Sequence, residues 1–334
     1  MDAKEAKAQL SPKLAEVLKD NRKLLARLEK EQARTELIVE ACRSAIIKME
    51  PPKFTPIEHG PGDPEHSLLA VGDWHFGEYV DRADTMGRNV WNKNVARKQV
   101  QDFTAKILRL TAIQHRAHKL PVLNVLMLGD MVTGEAIYEG QQFAIDEPVI
   151  DQAYQGAHLF AGALNAWSAV YERVDVHTVN GNHGRSGARG RSHPRTNWDE
   201  VLYNSIKDTL VTNDRVNVTI HREPIVAVKI NGQNIAFAHG KSLSSGSPML
   251  DTLMQRAANT WPAKLRRQLK TVIFGHYHRT GHMSVGDVSV YSNGSAMGST
   301  SYSVNGRMHF NPPQQWFIGI HPKRTTWQYA INLR

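Results

Sequence analysis

Cysteine is almost absent from this chain of 334 residues, in which Cys42 is the only one. A single cysteine excludes an intrachain disulfide framework and any zinc module built from several cysteines. Long apolar runs are also absent, since no stretch approaches the roughly 18–20 apolar residues of a membrane span, and the first residues, MDAKEAKAQL, are too polar for a secretory signal. We therefore expect a cytoplasmic protein with no membrane partner.

Charge is present in an ordinary amount but is distributed unevenly along the chain. The formal net charge is +9, with −5 in residues 51–180 and +12 in residues 181–334. A basic half beside an acid-rich segment is typical of proteins that bind a polyanion such as nucleic acid, although it also occurs as a solubilising surface charge. The charge pattern thus makes DNA a candidate partner and leaves the second explanation open.

Residues 12–49 are predicted to form one long helix, because Ser11 and Pro12 suit a helix N-terminus and no glycine or further proline follows before Pro51. Apolar residues recur in it at heptad spacing over about five heptads, as in a coiled coil. The heptad a positions are Leu18, Leu25, Gln32, Val39 and Ile46, and the d positions are Leu14, Asn21, Leu28, Thr35, Cys42 and Met49. We expect a homo-oligomer formed through this helix. Alternatively, the helix packs on its own chain or breaks at Asp20 into a small DNA-binding unit.

A change of pattern after residue 50 indicates the domain organisation. Residues 51–66 hold five prolines and two glycines, which is typical of a linker or of an ordered but irregular connection. From residue 67 onward, short β-type runs alternate with helical stretches at about 92–119, 148–171, 196–210 and 247–259, as in an α/β domain. The predicted plan is a helical segment 1–50, a connection 51–66 and an α/β domain 67–334.

Five strand-like runs of this domain end directly in side chains that bind metals. They are SLLAVGDWH with Asp73 and His75, NVLMLGD with Asp130, VHTVNGNH with Asn182 and His183, NIAFAHG with His239, and TVIFGHYH with His276 and His278. Neighbouring parallel strands bring their carboxyl ends to one edge, where loops place ligands. In an extended chain, the i, i+2 spacing of the two pairs puts both side chains on one face. The runs therefore predict a metal site at the strand ends.

The donor types indicate how many ions this site holds. Two carboxylates, one amide oxygen and four imidazoles exceed the four ligands of a tetrahedral zinc site. The set suits two divalent ions about 3.5–4 Å apart, as in metal-dependent hydrolysis of phosphoesters. Because no thiolate is present, we expect Mn²⁺, with Fe²⁺ or Zn²⁺ as alternatives.

The order D-x-H, G-D, G-N-H, H-G, G-H-x-H resembles the calcineurin-like metallophosphoesterase superfamily over roughly residues 67–300, and NGSAMG at 293–298 resembles its closing strand-end loop. The resemblance implies a four-layer α-β-β-α sandwich of two mixed sheets. It also implies roles for the motif residues: Asp73, His75 and His278 on the first metal, Asn182, His239 and His276 on the second, and Asp130 bridging. His183 would be the catalytic residue, touching the substrate phosphate and protonating the leaving oxygen.

This chain lacks the additional motifs of some branches of the superfamily, and these differences reduce the number of branches that it can resemble. The protein phosphatases carry GDxVDRG, whereas MVTGE follows Gly129-Asp130 here, and Thr133 stands where purple acid phosphatases have a tyrosine ligand. The chain most resembles the DNA-repair exonuclease and phosphodiesterase branch. We therefore expect a phosphodiesterase that hydrolyses DNA with a hydroxide bridging the two ions. The alternatives are a phosphatase or nucleotide phosphodiesterase for small substrates and, in another class, a catalytically weak binding scaffold.

The segment after G-N-H departs from the resemblance in a second way. Gly184 stands where the superfamily usually has an acidic residue, so a supporting carboxylate must come from elsewhere, for instance Glu135 or Asp199. The arginine-rich loop that follows suits bidentate phosphate contacts, although it also fits a solvated loop. Its predicted substrate-binding residues are Arg185, Arg189 and Arg191. A second basic cluster comprises Lys264, Arg266, Arg267 and Lys270.

Overall fold

The computed structural model describes residues 19–23, 25, 26, 29, 30, 33, 48–187, 193, 196–243, 249–300, 303, 304 and 310–334. The chain forms two compact units, Met1–Ile46 and Ile47–Arg334. In the first unit the described residues are helical, within the range of the predicted long helix. The remainder of that helix, and with it the test of a coiled coil, lies outside the described residues.

The second unit contains two mixed β-sheets. The first sheet has the order β11-β10-β1-β2-β3-β4, and the second has the order β5-β6-β7-β9-β8. Strands β1 to β4 run parallel, as do β6, β7 and β9, whereas β5, β8, β10 and β11 pair antiparallel to their neighbours. The strands are β1 His66–Val71, β2 Val122–Met127, β3 Arg173–Thr178, β4 Val216–Ile220, β5 Val226–Ile230, β6 Gln233–Ala238, β7 Thr271–Phe274, β8 Gly281–Val285, β9 Val288–Ser292, β10 Gln314–Ile320 and β11 Thr325–Asn332.

Four longer helices cover the outer faces of the two sheets. They are α1 Lys93–His115, α2 Val149–Trp167, α3 Trp198–Thr209 and α4 Leu250–Leu265. One apolar core joins α1, α2 and α3 to the first sheet, a second lies between the two sheets, and a third joins α4 to the second sheet. The result is the four-layer α-β-β-α sandwich that the motif order implied.

Strand β1 shows how the sequence specifies these layers. Its residues Ser67–Val71 are all buried. Because successive side chains point to opposite faces of a strand, Leu69 and Val71 pack toward the helices while Leu68 and Ala70 pack against the second sheet. A central strand that is buried on both faces has a nearly continuous apolar sequence, and such a sequence lies just before Asp73.

Helix α4 is longer than the sequence predicts, and residues 51–66 correspond to one of the two alternatives that the sequence left open. Helix α4 continues past the expected end near residue 259 to Leu265, with Pro262 inside it. Burial of Trp261 in the third core favours the extra turn despite the proline. Residues 48–65 form no helix or regular strand, yet five of their backbone N–H groups donate to carbonyls within residues 115–209 of the same unit. This stretch is therefore an ordered, irregular connection along the α/β unit.

Candidate metal centre

The predicted donors lie just beyond the carboxyl ends of parallel strands, and hydrogen bonds join their loops. Within the first sheet the Asp73 N–H donates to the carbonyl of Gly129 at 3.0 Å, and within the second the Gly275 N–H donates to the carbonyl of His239 at 3.0 Å. Between the sheets, the backbone N–H of His276 donates to the Asp73 carboxylate at 3.0 Å. The topology therefore gathers all five motifs at one rim of the sandwich.

The first donor cluster consists of Asp73, His75 and His278. The Nε2 atoms of His75 and His278 lie 3.0 Å apart. Asp73 Oδ1 is 3.3 Å from His278 Nε2 and 4.0 Å from His75 Nε2. Asp73 and His75 are buried, whereas the His278 side chain is 24% exposed. Lone pairs of two ring nitrogens and a carboxylate thus converge on one point, with access from solvent at His278.

The second donor cluster consists of Asp130, His239 and His276. His239 Nε2 lies 3.1 Å from Asp130 Oδ2 and 3.1 Å from His276 Nδ1. The side-chain oxygen of Asn182 is also 3.1 Å from His239 Nε2, which adds the amide to this group. All seven predicted ligands thus fall into two adjoining groups, and their oxygen and imidazole donors without thiolate fit divalent ions of borderline hardness.

The backbone at these donors is strained. Asp73, His75, Asp130, His276 and His278 all have positive φ, between 47° and 74°. Left-handed conformations are unfavourable for residues other than glycine and persist where the surroundings impose them, often at functional sites. The extended backbone expected for the two i, i+2 pairs is therefore wrong, because the chain turns sharply at each donor. Asp73 and His75 meet in one cluster, whereas His276 and His278 divide between the two.

Two of the histidines are held in the neutral form that coordinates a metal. Burial, together with the neighbouring His183 and His278, lowers the pKa of His75 well below its usual value. Burial and the charge of His239 lower the pKa of His276 to about 2. A neutral imidazole offers a lone pair, so neither of these side chains must lose a proton to bind a cation.

Asp130 and His239 form a charged pair. Burial opposes ionisation of Asp130, but His239 and His183 outweigh it and hold the pKa of Asp130 well below its usual value. Burial likewise opposes protonation of His239, but the Asp130 carboxylate raises the pKa of His239 to about 9. Without a cation, His239 therefore carries a proton at neutral pH.

His183 lies beside both clusters. Its ring is perpendicular to that of His75, with the centroids 4.6 Å apart, and its backbone N–H donates to Asp130 Oδ1 at 2.7 Å. Its Nδ1 lies 3.1 Å from the carbonyl of Thr133. Because a carbonyl only accepts, this contact assigns the proton to Nδ1 and leaves Nε2 as the second ring nitrogen. The Thr133 hydroxyl donates in turn to Glu78.

Asp199 is the supporting carboxylate that the sequence left undecided. It is fully buried near the start of α3 and accepts backbone N–H groups from Asp130, Met131, Val132 and Gly181 at 2.8–3.2 Å. Burial and the charge of Asp130 raise the pKa of Asp199 to about 6, so the carboxylate is ionised at neutral pH. It therefore fixes the loops that carry Asp130 and Asn182.

Gly184 permits this arrangement. A Cβ at residue 184 would collide with the side-chain oxygen of Asn197 and press on the backbone N–H of Asp199. The N–H of Trp198 donates to the Gly184 carbonyl, and Asn197 caps α3. The start of α3 therefore occupies the space that a side chain at position 184 would need, and Asp199 supplies a carboxylate from the helix instead.

Glu135, the other candidate for the supporting carboxylate, lies elsewhere. Its Oε2 accepts the backbone N–H of Val149, the first residue of α2, at 2.8 Å. A carboxylate at a helix N-terminus satisfies a free N–H and interacts favourably with the helix dipole. Glu135 therefore caps a helix, and this alternative of the sequence reading is wrong.

Two supporting glutamines were not found from the sequence. Gln315 on β10 accepts the N–H of Gly72 at 2.8 Å and donates to the carbonyls of Gly72 and Gly294. Gln152 on α2 accepts the N–H of Gly134 at 3.0 Å. Both are fully buried. The only signal at Gln315 is a polar residue at the start of an otherwise apolar strand, which by itself does not point to Gly72.

The closing loop at 293–298 lies under the first donor. The Ser295 hydroxyl and the Ala296 N–H both donate to the carbonyl of Asp73, at 2.8 and 3.1 Å.

Of the three predicted substrate arginines, Arg185 is described, and its Nε donates to the carbonyl of Asn182 at 2.8 Å. Arg189 and Arg191 lie outside the described residues. Arg185 is thus held next to the second cluster.

Searches against known proteins give distant likenesses. No family model and no curated protein match the sequence. An archaeal phosphodiesterase is 12% identical with a TM-score of 0.38, over 79% of this chain and 99% of that one. Zinc-bound Vps29 from Entamoeba histolytica is 13% identical with a TM-score of 0.37, over 80% and 99%. A predicted phosphoesterase from Streptococcus pneumoniae is 10% identical with a TM-score of 0.33, over 80% and 98%.

Identities and TM-scores this low carry no function over to this chain, so the side chains of the site are the basis for inferring it.

Among the described residues, no helix is both long enough and apolar enough to cross a bilayer.

Proposed function

We propose that this chain is a metal-dependent phosphoester hydrolase that holds two divalent ions. The observation that carries the proposal is the convergence of two donor clusters, with His183 against the first. The first ion would bind Asp73, His75 and His278, and the second Asn182, His239 and His276. When bound, the ions would supply an activated water and neutralise the phosphoryl oxygens.

Asp130 is proposed to serve both ions. Burial opposes a rise in the pKa of His239, but the charge of Asp130 raises it. At His278 in the first cluster, burial is outweighed mainly by Asp73, and the charge of Asp130 adds to the rise in pKa. Its Oδ2 faces His239, while its Oδ1 accepts the backbone N–H of His183. A carboxylate between two cations keeps them close together by offsetting their mutual repulsion.

His183 is proposed as the catalytic acid. The Thr133 carbonyl fixes the Nδ1 proton, so the ring keeps one orientation and presents Nε2 as the nitrogen that exchanges protons with a substrate. In the imidazolium form, Nε2 would give its proton to the leaving oxygen, which departs as an alcohol rather than an alkoxide. The ring stays anchored by Thr133 throughout.

Mn²⁺ is the proposed native ion, with Fe²⁺ and Zn²⁺ as alternatives. Support comes from the donor set, which mixes carboxylate and amide oxygens with imidazoles. Such sites accept several divalent metals, and selection among them depends on site geometry, ligand type and metal availability. Metal analysis of the protein purified from its own cells would decide between them.

DNA is the proposed substrate, hydrolysed as a phosphodiester. Support comes from the net charge of +12 in residues 181–334 and from Arg185 beside the second cluster. Arginine suits phosphate because its planar fork binds two oxygens at once. A small phosphodiester remains the competing substrate, because the donor clusters themselves carry no preference for a polymer.

The test compares linear DNA with an aryl phosphodiester, each assayed with Mn²⁺ and with Asp130→Ala as the inactive control. Degradation of DNA that disappears in the control and falls steeply with salt would support a nuclease. Hydrolysis of the diester with intact DNA would make this a small-substrate enzyme. Metal binding without hydrolysis of either would favour a binding scaffold and overturn the enzyme proposal.

A further inference from the structure

A second concave site lies in the α/β unit, away from the donor clusters. It is a cleft of about 470 Å³ at the edge of the two sheets, between β9 and the hairpin of β10 and β11. Small-molecule sites are typically about 300–1,000 Å³. Lys270 on its wall directly precedes β7, whose other end leads to His276, so a strand of about 13 Å separates the cleft from the donors.

Positive charge surrounds this cleft. Lys270, Lys323 and Arg324 are exposed on its walls, and Asp287 is its only acidic lining residue. Within the described part of the chain, none of the three cations forms an ion pair. Three cations against one carboxylate give a positive field that attracts anions, and concave walls of low dielectric strengthen it.

The interior of the cleft offers hydrogen-bond donors. Ser289 lines it, and the neighbouring Thr271 on β7 is paired with Ser289, so both side chains lie on the same sheet face. The Thr271 hydroxyl is fully buried and has no hydrogen-bond partner among the described residues. Buried donors left unpaired are unfavourable, and anionic oxygens would satisfy them.

One wall of the cleft is aromatic. The rings of His282 and Tyr291 stack with centroids 4.4 Å apart, and the Tyr291 hydroxyl donates to Gln328 at 2.8 Å. Tyr291 is buried, whereas His282 is exposed on the outer side of the stack. An exposed ring supported from behind offers a flat face to a planar heterocycle, as in proteins that stack nucleobases.

We propose that this cleft binds a small organic phosphate of mononucleotide size. The phosphate lies among Lys270, Lys323 and Arg324, near the unpaired Thr271 donor, and the base stacks on His282. Cations and donors in one cleft suit a phosphate, while the cleft volume suits one nucleotide rather than a strand. This inference is independent of the hydrolytic function, because the cleft shares no residue with the donor clusters.

The test is isothermal titration of the full chain with AMP in EDTA, which keeps cations off the donor clusters. Lys323→Glu and Arg324→Glu should each weaken AMP binding by about tenfold or more. Lys207→Glu, at an exposed lysine on α3, is the matched control and should leave the affinity unchanged. His282→Ala should weaken AMP but not inorganic phosphate, because only AMP carries the base.

Three results would overturn this proposal. The first is that the wild type does not bind AMP. The second is that neither Lys323→Glu nor Arg324→Glu changes the AMP affinity. The third is that Lys207→Glu weakens AMP binding as much as those two variants do. Tighter binding of a single-stranded oligonucleotide without AMP binding would also overturn it and assign the cleft to nucleic acid. The four substituted side chains are exposed, so we expect the variants to fold, and unchanged melting temperatures would show it.

Discussion

The Asp199 carboxylate accepts the backbone N–H of Asp130 at 3.0 Å and so holds a metal donor from behind. The same oxygen accepts the N–H of Gly181, and the other oxygen accepts those of Met131 and Val132. One helix side chain therefore fixes the loops after both β2 and β3. Partners of this kind orient the ligands they support, and their loss lowers metal affinity.

Replacing Asp199 by Asn should weaken both the fold and the metal site. An amide turns its NH₂ group toward backbone N–H donors that need an acceptor, so we expect about 3 kcal/mol of destabilisation and a metal affinity lower by about 10–100-fold. Denaturant unfolding in EDTA and a metal titration measure the two effects. Asp214→Asn, an exposed change, should alter neither. Wild-type values for Asp199→Asn would contradict the role given to this carboxylate.

Replacing His183 by Ala should lower the turnover number for a phosphodiester by about 10²–10⁴-fold, the usual contribution of a general acid. Metal content should stay the same, because the ring is not among the seven donors. Rates measured together with bound metal separate these effects. His158→Ala, an exposed histidine on α2, should leave both unchanged. An unaltered turnover number in His183→Ala would remove this residue from the mechanism.

Gly184→Ala should destabilise the protein because the added Cβ meets the Asn197 side chain. We expect a loss of about 1–3 kcal/mol, as for other overpacked sites. In an Asn197→Ala background, the further loss from Gly184→Ala should be smaller, because the colliding oxygen is gone. A double-mutant cycle by chemical denaturation measures this coupling. Strictly additive effects would show that the Asn197 side chain is not what excludes a side chain at position 184.

Metal binding should release a proton. The pKa of His239, raised to about 9 by Asp130 against the effect of burial, keeps the ring protonated at pH 7.5 without metal, and coordination requires the neutral form. We expect about one proton per chain from this residue at pH 7.5, with metal affinity rising with pH up to about 9. Calorimetry in two buffers of different ionisation enthalpy counts the protons. Binding without proton release would contradict the charged pair.

The donors could be predicted from the sequence because each follows its own strand directly. An apolar run, a small residue and a polar ligand form a local pattern, and parallel strands bring such patterns together. The runs also indicated an α/β domain, and the four-layer sandwich was expected from the resemblance that the order of the motifs carries. Asp199 was recognised as one of two alternatives, but only the packing of α3 on the loops distinguishes it from Glu135.

The supporting side chains, the backbone conformation at the donors and the cleft could not be predicted, because they depend on contacts between distant parts of the chain. Gln315 binds Gly72 across 243 positions, and no local pattern marks that pairing. The positive φ values at Asp73 and His278 likewise arise from the surrounding loops, because such values are uncommon for any residue other than glycine, even for Asp and His. The cleft combines Lys270, at the start of one strand, with Lys323 and Arg324 in a hairpin turn. Only the pairing of the sheets brings these cations together.

The most direct test of the central claim is the number of metal ions bound per chain. Protein reconstituted with Mn²⁺ and passed through a desalting column should retain two ions, measured by mass spectrometry of the metal. His278→Ala and His276→Ala should each retain one, because each removes a donor from one cluster only, and His59→Ala should retain two. A wild type that holds fewer than two ions, or a single-cluster variant that loses both or keeps both, would contradict a centre built from two separate donor clusters.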